Sequence, residues 1–345
     1  MKMPHPRWSL ATILMILVLS IGVVSCGKTS NKEDLSKQAL NSGEAQSDSA
    51  FSIRFRPQWY HQAQFAGVYM AAKKGFYRDY GLKVDIQTGG PDYPAYDAIE
   101  NGSTDITQLF LLTALTRDVE HNNLINLAQL SQKSSLMLVG KKSQGIKSIQ
   151  DLNNKSIGLC RTDFRELSLI FLQQNKLQMN IVNVDWTVNL FLNNVVEVIN
   201  VMRYNEYHQI LQAGIDPEEL FVIPFCDVGL NIIEDGLYTT REFYLKHPGQ
   251  CKNFAEATMD GWLYAINHQE ETLDVVLDIM RRHHIRANRP HQAWMLNEMR
   301  DVILMHPQGI GVLENSDFIK ARELLSQQKV PVSKQEYQDF YPHAQ

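Results

Sequence analysis

Between Phe51 and Ile86 the sequence changes its hydrophobic period twice, and this restricts the fold more than any other feature. Phe51, Ile53 and Phe55 alternate with Ser52, Arg54 and Arg56, the period of two that marks a strand with one buried face. Pro57 stops the run. From Ala63 to Lys74, the residues Phe65, Ala66, Tyr69, Met70 and Ala71 recur at helical spacing, and Gly75 suits the left-handed residue that ends a helix. Beyond Gly81, Leu82, Val84 and Ile86 alternate again. A strand, a helix and a second strand in this order make a crossover unit, and its right-handed connection requires a parallel pair. The predicted fold class is therefore α/β.

The alternation continues. A helix is expected near Tyr93 to Asn101, a stop at Gly102, and a strand around Ile106 to Phe110. Gly145 to Asn154 reads as a polar connector into a second domain, where Ile157-Gly158-Leu159 begins a fresh strand. Thr162 or Asp163 suits the cap of a helix through Leu167, Ile170, Phe171 and Leu172. Strand-like segments follow at Ile181 to Trp186, Val195 to Met202 and Phe221 to Phe225. Beyond Leu237 the pattern turns helical, at Gly249 to Ile266, Glu270 to Arg282 and Pro290 to Leu304. The expected organisation is two α/β lobes joined by two crossovers, one lobe from 51–143 with 238–340 and the other from 144–237. Loops at the carboxyl ends of the strands would line a ligand cleft between them.

Ahead of the folded body, Lys2 and Arg7 precede an apolar run from Leu10 to Val24, the pattern of an export signal. Val23-Val24-Ser25-Cys26-Gly27 looks like a bacterial lipobox. Residues 1–25 are then a signal peptide, Cys26 carries lipid, and the polar stretch 26–50 is a flexible tether. The chain has 33 Lys plus Arg against 38 Asp plus Glu; loss of Lys2 and Arg7 leaves 31 against 38, a net charge near -7. That charge excludes a basic nucleic-acid-binding surface and assigns membrane attachment to the lipid. Cys160, Cys226 and Cys251 allow at most one disulfide, and Cys226 with Cys251 is a candidate pair in an oxidising periplasm.

The first cleft loop, Gln58 to Gly67, belongs to the run QWYHQAQFAGVYMAAKKGFYRDYGLKVDI, followed by GG and later by AIENGSTDI. Together with Tyr204-Asn205-Glu206-Tyr207, Glu234-Asp235-Gly236-Leu237-Tyr238 and Gly261-Trp262-Leu263-Tyr264-Ala265, it closely resembles the periplasmic binding proteins for thiamine-pyrimidine precursors. The resemblance spans about residues 51 to 310. It implies a type II periplasmic binding-protein fold, delivery of ligand to an ABC permease and its ATPase, and a heteroaromatic ligand such as an amino-methylpyrimidine. Relatives that bind flavins or act as sensor domains leave those two readings open as well.

Carried over residue by residue, the resemblance puts Trp59 flat against the ligand ring, a stacking contact worth about 0.5–1.5 kcal/mol beyond area burial. It puts Tyr60 and His61 beside Trp59 as hydrogen-bonding groups. In the second lobe it places Glu206 as a carboxylate accepting ligand N–H groups, framed by Tyr204 and Asn205. Apart from the resemblance, a Trp here equally fills a core and a Glu near a helix start equally meets solvent. The loop Leu159 to Asp163 lacks the Gly and Ser of a phosphate cradle, and Asp163 would repel an anion, so a neutral or cationic ligand without phosphate is expected.

Fungal relatives of this family make the pyrimidine, using pyridoxal phosphate and iron, and carry a cysteine-rich run in the second lobe. Here that loop has Cys160 alone. Adjacent His283 and His284 would point about 100° apart on a helix and cannot easily share an ion with each other or with His291. No GxSxG nucleophile motif is present. The expectation is a binding protein without cofactor or metal, not an enzyme.

Overall fold

The computed structural model describes residues 50–160, 165–185 and 187–342. The export signal, Cys26 and the tether up to Ser49 fall outside the described residues, as do Thr162, Asp163 and Trp186. No helix among the described residues is long and apolar enough to cross a membrane.

The first lobe is built on a five-stranded sheet of β1 (Phe51–Arg56), β2 (Leu82–Ile86), β3 (Ile106–Phe110), β4 (Leu124–Gln129) and β10 (Asp235–Thr240), in the order β2-β1-β3-β10-β4. The second carries β5 (Leu136–Lys141), β6 (Ser156–Cys160), β7 (Asn180–Val184), β8 (Val198–Met202) and β9 (Leu220–Pro224), in the order β7-β6-β8-β5-β9. The two sheets have one plan. β1 pairs in parallel with β2 and β3, as β6 does with β7 and β8, and in each sheet the fourth strand runs antiparallel to both neighbours.

The helix Ala66–Lys74 packs against the helices Pro248–Asn267 and Gln269–Arg282 and ends on Gly75 at φ 84°, as its spacing predicts. The three helices expected beyond residue 248 are Pro248–Asn267, Gln269–Arg282 and Arg289–Ile303, the first and third with Pro in the first turn.

The lobe boundaries differ from those expected at 143/144 and 237/238. β5 lies in the second sheet and β10 in the middle of the first, so the crossovers are Leu130 to Ser135 and the stretch ending at Glu234. Periodicity marks a strand but does not say which sheet it joins. The polar stretch at 145–154 is a pair of surface turns inside the second lobe. Hydrogen bonds tie the crossovers side by side: the Ser131 hydroxyl oxygen accepts from the Glu234 N–H at 2.9 Å, and the Ser134 N–H donates to Asn231 Oδ1 at 2.8 Å. Cys226 follows β9 in the second lobe and Cys251 is buried in a first-lobe helix; their thiols are unpaired, so the candidate disulfide is absent.

Candidate functional site

β1 ends at Arg56 and the chain turns at Pro57 into the loop 57–62. This loop passes so close to Gly89 that a Cβ there would sit 1.9 Å from the Pro57 carbonyl oxygen, so only glycine permits the approach. The loop, the segment Gly90 to Asp97, the end of β3, and the turn after β8 together enclose a cavity of about 260 Å³. Trp59, Tyr204, Asn205 and Glu206 all line it. Gln58, Gln62, Gln64, Tyr96, Phe110 and Arg117 complete the walls that matter chemically.

Two residues expected beside Trp59 do not line the cavity. Tyr60 packs over Gly90 and points its hydroxyl at Asp92, 3.4 Å away. His61 is 1% exposed; its Nδ1 meets the Tyr69 hydroxyl at 2.9 Å and its ring lies 4.1 Å from that of His283. The loop turns sharply here, so neighbours in sequence diverge, and His61 joins the core that supports the site. Burial lowers its pKa to about 4, which keeps it neutral.

Glu206 accepts from the Met202 N–H at 2.9 Å and from Asn205 Nδ2 at 2.7 Å. Its own backbone N–H adds a third bond that favours the anion, yet burial still raises its pKa. A carboxylate offers about four acceptor sites. One therefore remains for a donor in the cavity that Glu206 lines.

Asp235, fully buried at the start of β10, carries no site assignment in the sequence reading, but it organises the opposite wall. It accepts from Gln58 Nε2 at 2.6 Å, Gln108 Nε2 at 2.8 Å and Gln64 Nε2 at 3.1 Å. The Gln64 carbonyl oxygen in turn accepts from Gln62 Nε2 at 2.7 Å. With one N–H of each amide so engaged, Gln58 and Gln62 keep their carbonyl oxygens and one N–H for the cavity they line. Arg117, the cation of the wall, is bonded to Asp97 Oδ1 at 2.6 Å and lies over the Tyr96 ring at 4.9 Å. The cavity is thus rich in acceptors and carries excess negative charge.

Those wall residues were open to one simple signal, the rule that strand carboxyl ends meet the ligand: β3 ends at Phe110, and Thr113 and Arg117 follow within two turns. Glu234, beside Asp235, lines the neighbouring part of the cleft with Phe110 and Arg117. Burial raises Glu234 to about 8, with the Asp235 charge adding to it, while three donors from Ser134, Ser135 and Leu136 oppose the shift. A carboxyl group whose folded pKa is raised contributes stability that is present at low pH and lost as pH rises through the folded value. Asp235, shifted to about 6, and the depressed histidines His61 and His291, whose unfolded forms titrate near 6.5, stop contributing above about pH 7.5. The Glu234 contribution should accordingly make the melting temperature fall between about pH 7.5 and 8.5, and Glu234→Gln should flatten that slope; calorimetry across the pH series checks it, and an unchanged slope in the variant rejects the assignment.

The family model described as NMT1/THI5 like matches residues 62–272. This chain belongs to the NMT1/THI5-like family. No curated protein matches it. Among solved structures, the periplasmic aliphatic sulphonate binding protein SsuA from Escherichia coli is 14% identical, with 85% of this chain and 99% of that chain covered at a TM-score of 0.65. The periplasmic nitrate-binding protein NrtA from Synechocystis PCC 6803 is 11% identical, with 81% and 82% covered at 0.58. The ligand-binding component of an ABC-type import system from Staphylococcus aureus, solved with zinc bound, is 13% identical, with 84% and 96% covered at 0.60. This member of the NMT1/THI5-like family has the type II periplasmic binding-protein fold, and these neighbours are binding proteins. Among its described residues no group of three or more His, Cys, Asp or Glu side chains is placed to hold a metal ion.

Proposed function

We propose that this protein is the solute-binding component of an ABC importer, held to the membrane by lipid on Cys26, and that it captures a small heteroaromatic ligand of the thiamine-pyrimidine class, such as hydroxymethylpyrimidine or formylaminopyrimidine. The observation that carries the reading is the acceptor-lined cavity: the Glu206 carboxylate on one lobe and the Gln58 and Gln62 carbonyls on the other, beside the Trp59 indole. An aminopyrimidine offers N–H donors to such walls and a flat ring to the indole. Sulphonate or nitrate, bound by the two named neighbours, would face Glu206 with no uncommitted cation on the wall, since Arg117 is paired with Asp97. A volume of about 260 Å³ lies below the roughly 300–1,000 Å³ of sites for drug-sized ligands, which favours one substituted ring over a flavin.

A thermal-shift panel tests the ligand. Thiamine-pyrimidine precursors should raise the melting temperature, by about 2.7 kcal/mol of added stability at a hundred times the dissociation constant. A shift with riboflavin alone would reassign the site. Trp59→Ala should weaken pyrimidine binding about tenfold, the loss of stacking plus buried ring area, with the melting temperature of the free protein little changed. Titration calorimetry measures it, and equal affinity removes Trp59 from the site. Mass spectrometry of membrane-extracted protein tests the anchor; an unmodified Cys26 rejects it.

A further inference from the structure

The first-lobe helix Arg289–Ile303 lies against the turn Arg203–Tyr207 and His208 of the second lobe. Arg203 Nε is 2.8 Å from Glu298 Oε2, and Trp294 Nε1 donates to the Arg203 carbonyl at 2.9 Å. The His208 ring stacks on Trp294 at 4.7 Å and 4°. His208 Nδ1 meets His291 Nδ1 at 2.9 Å, and His291 Nε2 meets Asn205 Oδ1 at 3.0 Å.

We infer that His291 is a positioning residue of the cleft, which holds Asn205, and through it Glu206, from the opposite lobe, and whose neutral form latches the lobes together. Every bond in the chain has one allowed direction. The Glu206 carboxylate only accepts, so Asn205 turns its Nδ2 to it. Asn205 Oδ1 then faces away and accepts from both Gln209 Nε2 and His291 Nε2. His291 is therefore the Nε2–H tautomer with a lone pair on Nδ1, and His208 donates to it from its own Nδ1. Protonating His291 puts a hydrogen on Nδ1, which fits only when His208 carries its own proton on Nε2 and accepts at Nδ1. The bond survives that switch, but a cation is then buried at the lobe contact, and this is what weakens the closed form.

The charged groups packed around this pair are Glu206, engaged by Asn205, the Arg203–Glu298 ion pair, and Arg289, which is bonded to Glu270 and Asp274. None of them bonds to His291, whose side-chain partners are His208 and Asn205, so none stabilises an imidazolium there. Burial first, and the His208 ring second, lower His291 from 6.5 to about 4. A histidine whose pKa is depressed in the closed form stabilises that form fully above about 6.5 and progressively less as pH falls. The closed-to-open ratio should fall about tenfold per pH unit below that point.

Small-angle scattering of the ligand-free chain from pH 7.5 to 5 tests this. The wild-type radius of gyration should rise as pH falls. His291→Gln, which keeps one donor for Asn205 and one acceptor for His208 but does not titrate, should stay compact throughout. His291→Ala should be expanded already at pH 7.5, with circular dichroism checking that it folds. A wild-type radius that does not change, or a His291→Gln protein that expands in step with wild type, overturns the latch. A second arm rests on the ligand reading above: the ratio of wild-type to His291→Gln affinity for hydroxymethylpyrimidine should fall as pH drops below about 6.5, reaching about tenfold per pH unit once the open form predominates. If that compound binds neither protein at any pH, the ligand reading fails, and the scattering alone decides the latch.

Discussion

Glu206→Ala should lower affinity for an aminopyrimidine by about 100-fold or more, and Glu206→Gln by about tenfold, with a smaller effect on the thermal stability of the free protein. Truncating one side of a buried, charge-assisted contact costs about 2–5 kcal/mol, and each 1.4 kcal/mol is about a factor of ten. The alanine variant falls in that range because the ligand's N–H would be left in the cavity without an acceptor. Glutamine retains one acceptor oxygen but loses the charge, and its amide nitrogen is a donor facing the Met202 N–H or Asn205 Nδ2 that the carboxylate now accepts from. Stability should change less than affinity, because two contributions oppose each other. Burial raises the Glu206 pKa in spite of three donors, so removing the carboxylate relieves a desolvation cost, which offsets part of the loss from the Met202 N–H and Asn205 Nδ2 left without their acceptor. Titration calorimetry together with melting curves separates the two effects. Unchanged affinity in both variants would refute Glu206 as the ligand's acceptor.

Gly261→Ala should destabilise the protein by about 2–3 kcal/mol, although alanine is the better helix former. The helices Ala66–Lys74 and Pro248–Asn267 cross at two glycines. A Cβ on Gly261 would lie 2.1 Å from the Gly67 carbonyl oxygen, and one on Gly67 would lie 2.3 Å from the Trp262 ring. The propensity gain is about 1 kcal/mol, whereas overpacking costs about 1–3 kcal/mol and more where the obstacle is backbone, which has no other rotamer. The helices would have to separate, taking with them Trp262, which is fully buried, and the packing behind the loop that carries Trp59. At about 2–4 °C per kcal/mol, the melting temperature should fall several degrees. A variant as stable as wild type would mean the crossing can widen freely. Ligand affinity, measured at a temperature where the variant is folded, is expected to change less than its stability.

The sequence shows the β1, β2 and β3 units, the three C-terminal helices and the α/β class, because each rests on a local period. It conceals β4, whose Leu124–Gln129 is buried at every position and has no alternation, and β10, where Gly236 and paired polar residues look like a turn. Which sheet β5 joins is a long-range property that no window of sequence contains. The site divides in the same way. Trp59 and Glu206 stand next to strand ends and share one cavity, while His61 is drawn into the core by a turn that sequence spacing does not specify. Asp235 and His291 escape the reading because each acts through a neighbour: an aspartate holding three glutamines, and a histidine holding an asparagine, matter only when the chain is folded.

β10 lies between β3 and β4 and pairs with both, in a sheet whose other strands all precede residue 130. The first lobe therefore cannot zip up until the chain has been made through Thr240, whereas all five strands of the second sheet lie between Leu136 and Pro224. Contacts of such long sequence separation form slowly, and an unfilled slot exposes the edges of two strands. The second lobe, whose strands are complete by Pro224, should thus mature first, leaving the first lobe open-edged until β10 is in place.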